Sequence, residues 1–379
     1  MEQDHRRSIL ILVPHDLARG GTERVALNLA RAIQVRGYGI RLVFPYTQNR
    51  KALLDWCIEQ GVQAETTRAL VHWWDAPHTW MGVLHLARYV RSQRPDVVNL
   101  HYGSYFPSFK DVLAVRLAGR CRCIVTVNHA TEWKGLADRK RLAAMMVGRL
   151  ADDVVVISRA TERTIRKAGI PGQKIHVVPC GLQVPDNPPS RAEARERLRL
   201  SPDAFVVASV GRLVLAKGFA ELIRAVAQVL NTEREVQLII GGDGPDRLQF
   251  ENLAAQLLGP RARFLGGIPD KDVADIYAAA DVFALPSHSE GFGLTFVEAA
   301  FHALPCIGTD VGGISDVIVN GETGLLVPLG SERALTSALQ LLYDDPLLRV
   351  RLGHAARTRA LTRFTEDQMA SQYEPLFVK

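Results

Sequence analysis

The ten residues from 289 to 298 read Ser-Glu-Gly-Phe-Gly-Leu-Thr-Phe-Val-Glu. They follow the apolar run Asp281–Ser287, which is typical of a buried strand, and lead into Val297–Ala303, which is typical of a helix. A strand, a glycine turn and a helix start present backbone N–H groups and a positive dipole end to an anion. The segment also places two carboxylates, Glu290 and Glu298, eight positions apart across that turn. A carboxylate beside an anion-binding turn would repel the anion, so its presence indicates that it binds another group, such as a ligand hydroxyl.

Strands and helices alternate through both halves of the chain. Apolar strands such as Ser8–Val13 and Ala204–Val210 are followed by helix-like segments such as Glu23–Val35 and Phe219–Leu230. Continuous apolar strands separated by helices predict parallel sheets covered on both faces. The predicted fold class is therefore α/β, with two doubly wound Rossmann-like domains facing across a cleft, where ligands bind beyond the carboxyl ends of the strands.

The length of 379 residues exceeds what one hydrophobic core usually supports, so we expect two domains. The densest proline cluster, Val184–Ser190, marks the boundary between them. We therefore divide the chain into an N-terminal domain of residues 1–184, a C-terminal domain of 185–362 and a final segment of 363–379.

Composition and charge limit the class of protein further. No window approaches the roughly 18 apolar residues of a membrane-spanning helix, and the run Ile9–Val13 is too short for a secretory signal. Five cysteines in no metal-binding spacing indicate a reducing, cytoplasmic location. Residues 1–189 carry a net charge of +11 and residues 190–379 carry −5. The basic half is either a solvated surface or faces an anionic membrane, a lipid-linked phosphate or nucleic acid.

Two cations of the second half stand where a strand gives way to a helix. Arg212 follows the strand that ends at Val210, and Lys217 precedes the next helix, so both side chains are expected to point into one crevice. A nucleoside diphosphate is a good leaving group only when its charge is neutralised, and an arginine with a lysine does this without a metal. Two solvated surface residues are the competing interpretation.

The two glutamates suit other parts of such a ligand. Glu298 falls in the second turn of its helix, where its carboxylate can accept two hydrogen bonds from a ribose diol, and Glu290 lies nearer a reacting sugar. Gly291 and Gly293 let the backbone approach closely. The alternative makes Glu290 a helix cap and Glu298 a surface residue.

The first half offers weaker signals. Gly20 and Gly21 stand between the first strand and the first helix, where glycines permit close approach by a phosphate or an acceptor but also serve tight turns. His129 and His101 each end a strand-like run, from which a side chain can reach a ligand. A satisfied polar residue is the competing interpretation of either histidine.

The sequence favours an enzyme without a metal. The Asp-x-Asp string Asp270–Asp272 opens a predicted helix, and helix N-capping is the preferred account of it. We therefore predict no metal site and no cofactor.

Taken together, these motifs resemble the retaining glycosyltransferases of family 4, which have the two-domain GT-B fold. The resemblance spans nearly the whole chain and rests on the segments Gly20–Glu23, Gly211–Leu213, Lys217–Gly218, Gly242–Pro245, Glu290–Glu298, Gly312–Asp316 and Asn320–Leu326. It implies that the C-terminal domain binds a nucleotide sugar and the N-terminal domain an acceptor.

The resemblance also implies roles for single residues. The donor would be bound by Arg212, Lys217, Gly291, Phe292, Gly293, Leu294, Thr295 and Glu298. Of these, the two cations and the amides of Leu294 and Thr295 would meet the diphosphate, and Glu298 would hold the ribose. Glu290 would hold the donor sugar together with the amides that follow it. His129 would stand beside the sugar as a second catalytic residue, although Asn128 competes for that place.

The resemblance also predicts roles for two helices. Thr365–Val378 would cross back onto the N-terminal domain. Gly135–Leu150 has the basic amphipathic character of the helix with which relatives that use lipid acceptors meet a membrane. Packing against the core with a solvated basic face is the competing account. The sequence also departs from the family pattern: Cys180–Gln183 replaces Asn-Gly-x-Asp, and Ala303 replaces a glycine.

The resulting hypothesis is a retaining transferase that moves a hexose from a nucleoside-diphosphate sugar, with uridine favoured over guanosine, to an acceptor hydroxyl. The acceptor would be a carbohydrate or a lipid-linked molecule in bacterial polysaccharide, lipopolysaccharide or glycolipid synthesis. Peripheral contact with the inner face of the membrane stays open. The alternatives are a nucleotide-sugar epimerase and a non-catalytic nucleotide- or nucleic-acid-binding module. The lack of interleaved aromatic and basic residues argues against nucleic acid as a partner.

Overall fold

The computed structural model describes residues 7–14, 20–47, 50–70, 80–103, 107–129, 138–229 and 235–378. The chain forms two compact units, one of Met1–Gln183 with Phe364–Lys379 and one of Val184–Arg363. These limits differ by one residue from the domain boundaries expected from the sequence.

Seven parallel strands form the sheet of the first unit, in the order β3-β2-β1-β4-β5-β6-β7. The strands are β1 (Ser8–Leu12), β2 (Gly39–Pro45), β3 (Ala64–Thr67), β4 (Val97–Tyr102), β5 (Arg122–Val127), β6 (Asp153–Val156) and β7 (Ile175–Val177). The helices are α1 (Gly21–Val35), α2 (Lys51–Glu59), α3 (Trp80–Gln93), α4 (Phe109–Ala118), α5 (Asp138–Leu150) and α6 (Arg159–Lys167).

The continuous apolar strands of this unit follow from burial on both faces. In β1, Leu10 and Leu12 pack with α3 and α4 on one side of the sheet, whereas Ile9 and Ile11 pack with α1 and α2 on the other. Alternate residues of a strand point to opposite faces, so a strand covered on both sides must be apolar throughout.

Six parallel strands form the sheet of the second unit, in the order β10-β9-β8-β11-β12-β13. They are β8 (Phe205–Val210), β9 (Val236–Gly241), β10 (Ala262–Phe264), β11 (Val282–Leu285), β12 (Cys306–Thr309) and β13 (Gly324–Val327). The helices are α7 (Arg191–Arg197), α8 (Phe219–Val229), α9 (Arg247–Leu257), α10 (Asp270–Ala279), α11 (Leu294–Phe301), α12 (Ile314–Val317), α13 (Glu332–Asp344) and α14 (Pro346–Arg363).

The strand order of each sheet reverses at one place, between β1 and β4 in the first unit and between β8 and β11 in the second. The chain segments that leave two such strands cross to opposite faces of the sheet, which opens a crevice at their carboxyl ends. In the second unit, the segments beside the crevice are residues 211–218 and 286–293. They contain Arg212, Lys217 and Glu290.

The last helix, α15 (Glu366–Val378), completes the core of the first unit. The buried hydroxyl of Tyr373 lies 3.0 Å from the hydroxyl of Thr126 in β5. At the start of the helix, the Arg31 side chain of α1 donates a hydrogen bond of 3.1 Å to the Glu366 carboxylate. The end of the chain is therefore part of the first unit, although the whole second unit separates it in sequence from the rest of that unit.

The structure confirms the predicted class, α/β with two doubly wound Rossmann-like domains. The short strands β3, β7 and β13 were not predicted. The string Asp270–Asp272 was expected to provide the N-cap of α10, but Pro269 is the N-cap and Asp270 is the first helical residue. The helix starts there because the Pro269 carbonyl accepts hydrogen bonds from the amides of Asp272 and Val273.

The substitution at Ala303 has a structural cost. Its φ is +56°, in the left-handed region that an L-residue with a side chain disfavours by roughly 1–2 kcal/mol. This conformation explains why a glycine suits the position better.

Candidate functional site

A close backbone contact joins the segments that follow β8 and β11. The turn Leu215–Lys217 ends at Gly218, whose φ is +73°. A Cβ atom on Gly218 would lie 2.1 Å from the carbonyl oxygen of Pro286, so only glycine lets the two segments approach this closely. The Ala216 carbonyl also accepts a hydrogen bond of 2.8 Å from the His288 amide.

This contact brings Lys217 and Glu290 together as an ion pair. The Lys217 ammonium donates a hydrogen bond to Oε2 of Glu290, and both side chains are mostly buried. Arg212 lies in the same segment with an exposed side chain. Of the three charged residues predicted beside the crevice, the structure thus pairs two and leaves the third accessible.

A glycine pair from the next loop supports the backbone at Glu290. The amide of Gly313 donates a hydrogen bond of 3.1 Å to the carbonyl oxygen of Glu290. Gly312 has a φ of +56°, and a Cβ atom there would lie 1.9 Å from the same oxygen. The loop after β12 therefore holds Glu290 in place through contacts that a larger residue would break.

The helix that follows Glu290 begins without a side-chain cap. Gly293 is the N-cap of α11, with a φ of +98°, and no described side chain accepts from the first turn. The amides of Leu294 and Thr295 belong to the first turn of a helix, whose N–H groups have no intrahelical acceptor. Together with the helix dipole, these amides can bind an anionic oxygen. The alternative in which Glu290 caps the helix is excluded.

Glu298 lies in the second turn of α11 and is held by a residue that the sequence analysis missed. The hydroxyl of Tyr277 in α10 donates a hydrogen bond of 2.6 Å to Oε2 of Glu298. Tyr277 is only 2% exposed. The position of Tyr277 on the apolar face of α10 predicts a core residue. Nothing in the sequence indicates that its hydroxyl contacts Glu298. The alternative of Glu298 as a freely solvated surface residue is therefore wrong.

The glycine-rich turn after β9 packs against the segment that contains Arg212. A Cβ atom on Gly242 would lie 1.9 Å from the carbonyl oxygen of Gly211, and one on Gly244 would lie 2.3 Å from that of Leu213. The Leu213 amide also donates a hydrogen bond of 2.9 Å to the Asp243 carbonyl. These contacts account for the glycines of this turn through packing alone.

In the first unit, the glycine pair starts a helix. Gly20 is the N-cap of α1 with an extended backbone, and Gly21 is the first helical residue. Glu23, two residues further on, is fully buried in the first turn of that helix. The proposed contact of the two glycines with a phosphate or an acceptor stays a prediction.

His129 and Asn128 follow β5 and differ in accessibility. His129 is half-buried, and its amide donates a hydrogen bond of 3.1 Å to the Gly103 carbonyl. Asn128 is 4% exposed, and among the described residues nothing hydrogen-bonds its side-chain amide. The greater accessibility of His129 favours it for contact with a ligand, and its role stays a prediction.

The expectation that His101 ends its strand is wrong. It lies within β4, which continues to Tyr102, and it is fully buried. Burial lowers the pKa of its imidazole to about 3, so the side chain is neutral at physiological pH.

Two further observations concern the described residues only. Three or more His, Cys, Asp or Glu side chains are nowhere grouped as a metal ion would require. None of the described helices combines the length and the apolar character needed to cross a bilayer.

Comparison with known proteins identifies the family. The model described as Glycosyltransferase Family 4 matches residues 19–184, and the model described as Glycosyl transferases group 1 matches residues 190–359. A D-inositol 3-phosphate glycosyltransferase of Corynebacterium aurimucosum is 30% identical over 302 residues, which cover 74% of this chain and 71% of that protein. The lipopolysaccharide core biosynthesis glycosyltransferase LpsD of Rhizobium meliloti is 29% identical over 371 residues and 96% of both chains.

Solved structures agree on the fold. HepE of Anabaena, crystallised with UDP and glucose, has a TM-score of 0.77 and 22% identity, with 98% of this chain and 99% of that chain covered. The chain belongs to glycosyltransferase family 4 and is a glycosyltransferase with the GT-B fold. The resemblance found in the sequence is thereby confirmed.

Replacing Gly312 with alanine should displace the Glu290 loop. Gly330 provides a matched control, because its φ is also positive, at +73°, but a Cβ atom there meets nothing within 4 Å. We expect Gly330→Ala to lower the free energy of unfolding by about 1 kcal/mol, and Gly312→Ala by about 3 kcal/mol or more, because the added methyl group collides with the Glu290 carbonyl. Calorimetric unfolding and transferase assays check both effects. Equal losses in the two variants would contradict this account of the loop.

Proposed function

We propose that the chain is a retaining hexosyltransferase that uses a nucleoside-diphosphate sugar as its donor. The observation that carries the proposal is the arrangement beside the crevice of the second unit. Three features come together along the segment from Glu290 to Glu298. They are the Lys217–Glu290 ion pair, the helix start of α11 without a side-chain cap, and the Glu298 carboxylate. A cation and a helix N-terminus suit a diphosphate, and a fixed carboxylate suits a ribose diol.

In the proposed reaction, the bond between the sugar C1 and the diphosphate oxygen breaks while a bond from C1 to the acceptor oxygen forms on the same face. The acceptor proton passes to an oxygen of the departing diphosphate. Lys217, Arg212 and the first amides of α11 stabilise the negative charge that develops on the leaving group. Because Glu290 is paired with a lysine, we assign it to orienting the sugar and the lysine rather than to nucleophilic attack. The reaction as proposed needs no metal.

Donor and acceptor classes follow from the relatives as proposals. The similar HepE fold was solved with UDP and glucose, which makes a uridine nucleotide the first donor to test and guanosine the competing base. The names of the two curated relatives point to a phosphorylated polyol and to lipopolysaccharide core. We propose an acceptor hydroxyl on a carbohydrate or a lipid-linked molecule in bacterial polysaccharide, lipopolysaccharide or glycolipid synthesis. His129 is proposed to contact the donor sugar.

We further propose a cytoplasmic enzyme that contacts an anionic membrane through α5. The exposed side of this helix carries Arg141, Leu142, Met145 and Arg149, whereas Val147 is buried in the core. Leu142 is 60% exposed and Met145 is 49% exposed. An exposed face that is both basic and apolar suits the headgroup region of an anionic bilayer.

Removing either partner of the ion pair should impair transfer. We expect Lys217→Ala and Glu290→Gln each to lower kcat by about 10²–10³-fold, because each removes a preorganised charge beside the leaving group. Glu322→Gln, at an exposed turn of the same unit, is the control and should keep full activity. The assay is release of the nucleoside diphosphate with acceptor present, after thermal-shift screening of nucleotide sugars identifies the donor. Full activity of both variants would contradict the proposal.

Product analysis of the nucleotide sugar without acceptor separates the alternative functions. An epimerase would convert the nucleotide sugar with no acceptor present, whereas the proposed transferase releases diphosphate only at the rate of slow hydrolysis. A nucleic-acid-binding module would release no diphosphate and would bind nucleic acid with a steep salt dependence.

Charge reversal on α5 tests membrane contact. The wild-type protein should sediment with phosphatidylglycerol vesicles and not with phosphatidylcholine vesicles, and the binding should weaken as salt is added. The double variant Arg141→Glu/Leu142→Glu should bind phosphatidylglycerol at least tenfold less. Leu347→Glu, at a position 82% exposed in α14, should bind like the wild type. Equal loss in the control, or wild-type binding by the double variant, would exclude α5 as the contact.

A further inference from the structure

The carboxylate of Glu298 is fixed by a residue of another helix. Tyr277 lies 21 positions earlier in α10, and its hydroxyl donates a hydrogen bond of 2.6 Å to Oε2 of Glu298. This length is in the range of charge-assisted O–H···O⁻ hydrogen bonds, which are about twice as strong as neutral ones. A glutamate on a helix surface otherwise samples several rotamers, and binding a ligand would have to order it.

The position of the Tyr277 hydroxyl is itself fixed by the core. The ring of Tyr277 lies 5.7 Å from the ring of Phe283 in β11 and 5.5 Å from that of His302, which follows α11. Phe283 in turn contacts Phe296 of α11 edge-on, with 5.3 Å between ring centroids. The hydroxyl is therefore held by aromatic contacts to the strand and the helix that frame the crevice.

A histidine also lies against the ring of Tyr277. Burial, and secondarily the charge of Arg357, lower the pKa of His302 to about 4. The imidazole beside the Tyr277 ring is therefore neutral at pH 7. Tyr277 thus packs against an uncharged ring.

We propose that Tyr277 is a positioning residue of the donor site, which presets the Glu298 carboxylate to accept the hydroxyls of a nucleoside ribose. The inference rests on the proposed function, in which Glu298 binds the ribose. In this proposal, Tyr277 makes no direct contact with the ligand. It acts by holding one carboxylate oxygen so that the plane of the carboxylate is set before the nucleotide arrives.

A role in positioning differs measurably from a role in stability. If Tyr277 only filled the core, its hydroxyl would affect the melting temperature and leave the selectivity for ribose unchanged. If it positions Glu298, its loss must weaken the discrimination between a ribonucleotide and a deoxyribonucleotide. The ratio of the two dissociation constants within one variant is independent of how much of that variant is folded.

The experiment measures Kd for UDP and for 2′-deoxy-UDP by calorimetric titration. For the wild type, we expect UDP to bind at least tenfold more tightly than its deoxy analogue. Tyr277→Phe should reduce that preference about fivefold through weaker binding of UDP, with Kd for the deoxy analogue unchanged. Tyr373→Phe is the matched control, because it removes an equally buried hydroxyl, hydrogen-bonded to Thr126, from the first unit. Its ratio should equal that of the wild type.

Glu298→Ala separates failure of the inference from failure of the proposed function. Loss of the ribose preference in Glu298→Ala but not in Tyr277→Phe would overturn the role of Tyr277 and leave the donor site intact. A wild-type ratio in Glu298→Ala would overturn the assignment of Glu298 to the ribose, and the role of Tyr277 with it. Loss of the preference in both variants, with the Tyr373→Phe control unchanged, would establish the positioning role.

Discussion

The contact between the backbone at Gly218 and the carbonyl oxygen of Pro286 is the constraint on which the proposed donor site depends. It joins the segments that leave the two strands at the reversal of the sheet, with no room for a Cβ atom. Gly312 packs just as closely against the carbonyl oxygen of Glu290, again with no room for a Cβ atom. Parallel strands alone would place several loops at the carboxyl edge of the sheet without fixing their arrangement. These contacts lock the loops into a single arrangement, so that the Lys217 and Glu290 side chains meet.

In the proposed function, the charges within this arrangement have separate tasks. Lys217 and Glu290 neutralise one another in the structure, which lets both remain mostly buried, since an unpaired buried charge is costly. An incoming diphosphate would share the lysine, with the first amides of α11 adding a positive field. Glu298, which accepts a hydrogen bond from Tyr277, is assigned to the ribose and not to the diphosphate. In this proposal, Glu290 orients the sugar and the lysine and Glu298 recognises the ribose, and neither acts as an acid or a base.

The sequence predicted the elements whose signals are local and missed those that depend on tertiary contacts. Apolar strands, glycine turns and the motif from Glu290 to Glu298 were recognisable because the residues of each are close together in sequence. The partnership of Tyr277 with Glu298 was not, because the two lie on different helices and a tyrosine in an apolar face predicts only core packing. His101 was misplaced for a related reason, since β4 continues two residues beyond its apolar run and buries the histidine.

Amide hydrogen exchange with and without UDP tests the central claim most directly, because the backbone of one segment is assigned to the nucleotide. The account predicts that saturating UDP slows exchange in residues 290–298 at least tenfold, with the amides of Leu294 and Thr295 among the most protected. Residues 211–218 should be protected with them, and α13 and α14 should be unchanged. Unaltered exchange across residues 290–298 while UDP saturates the protein would contradict the account.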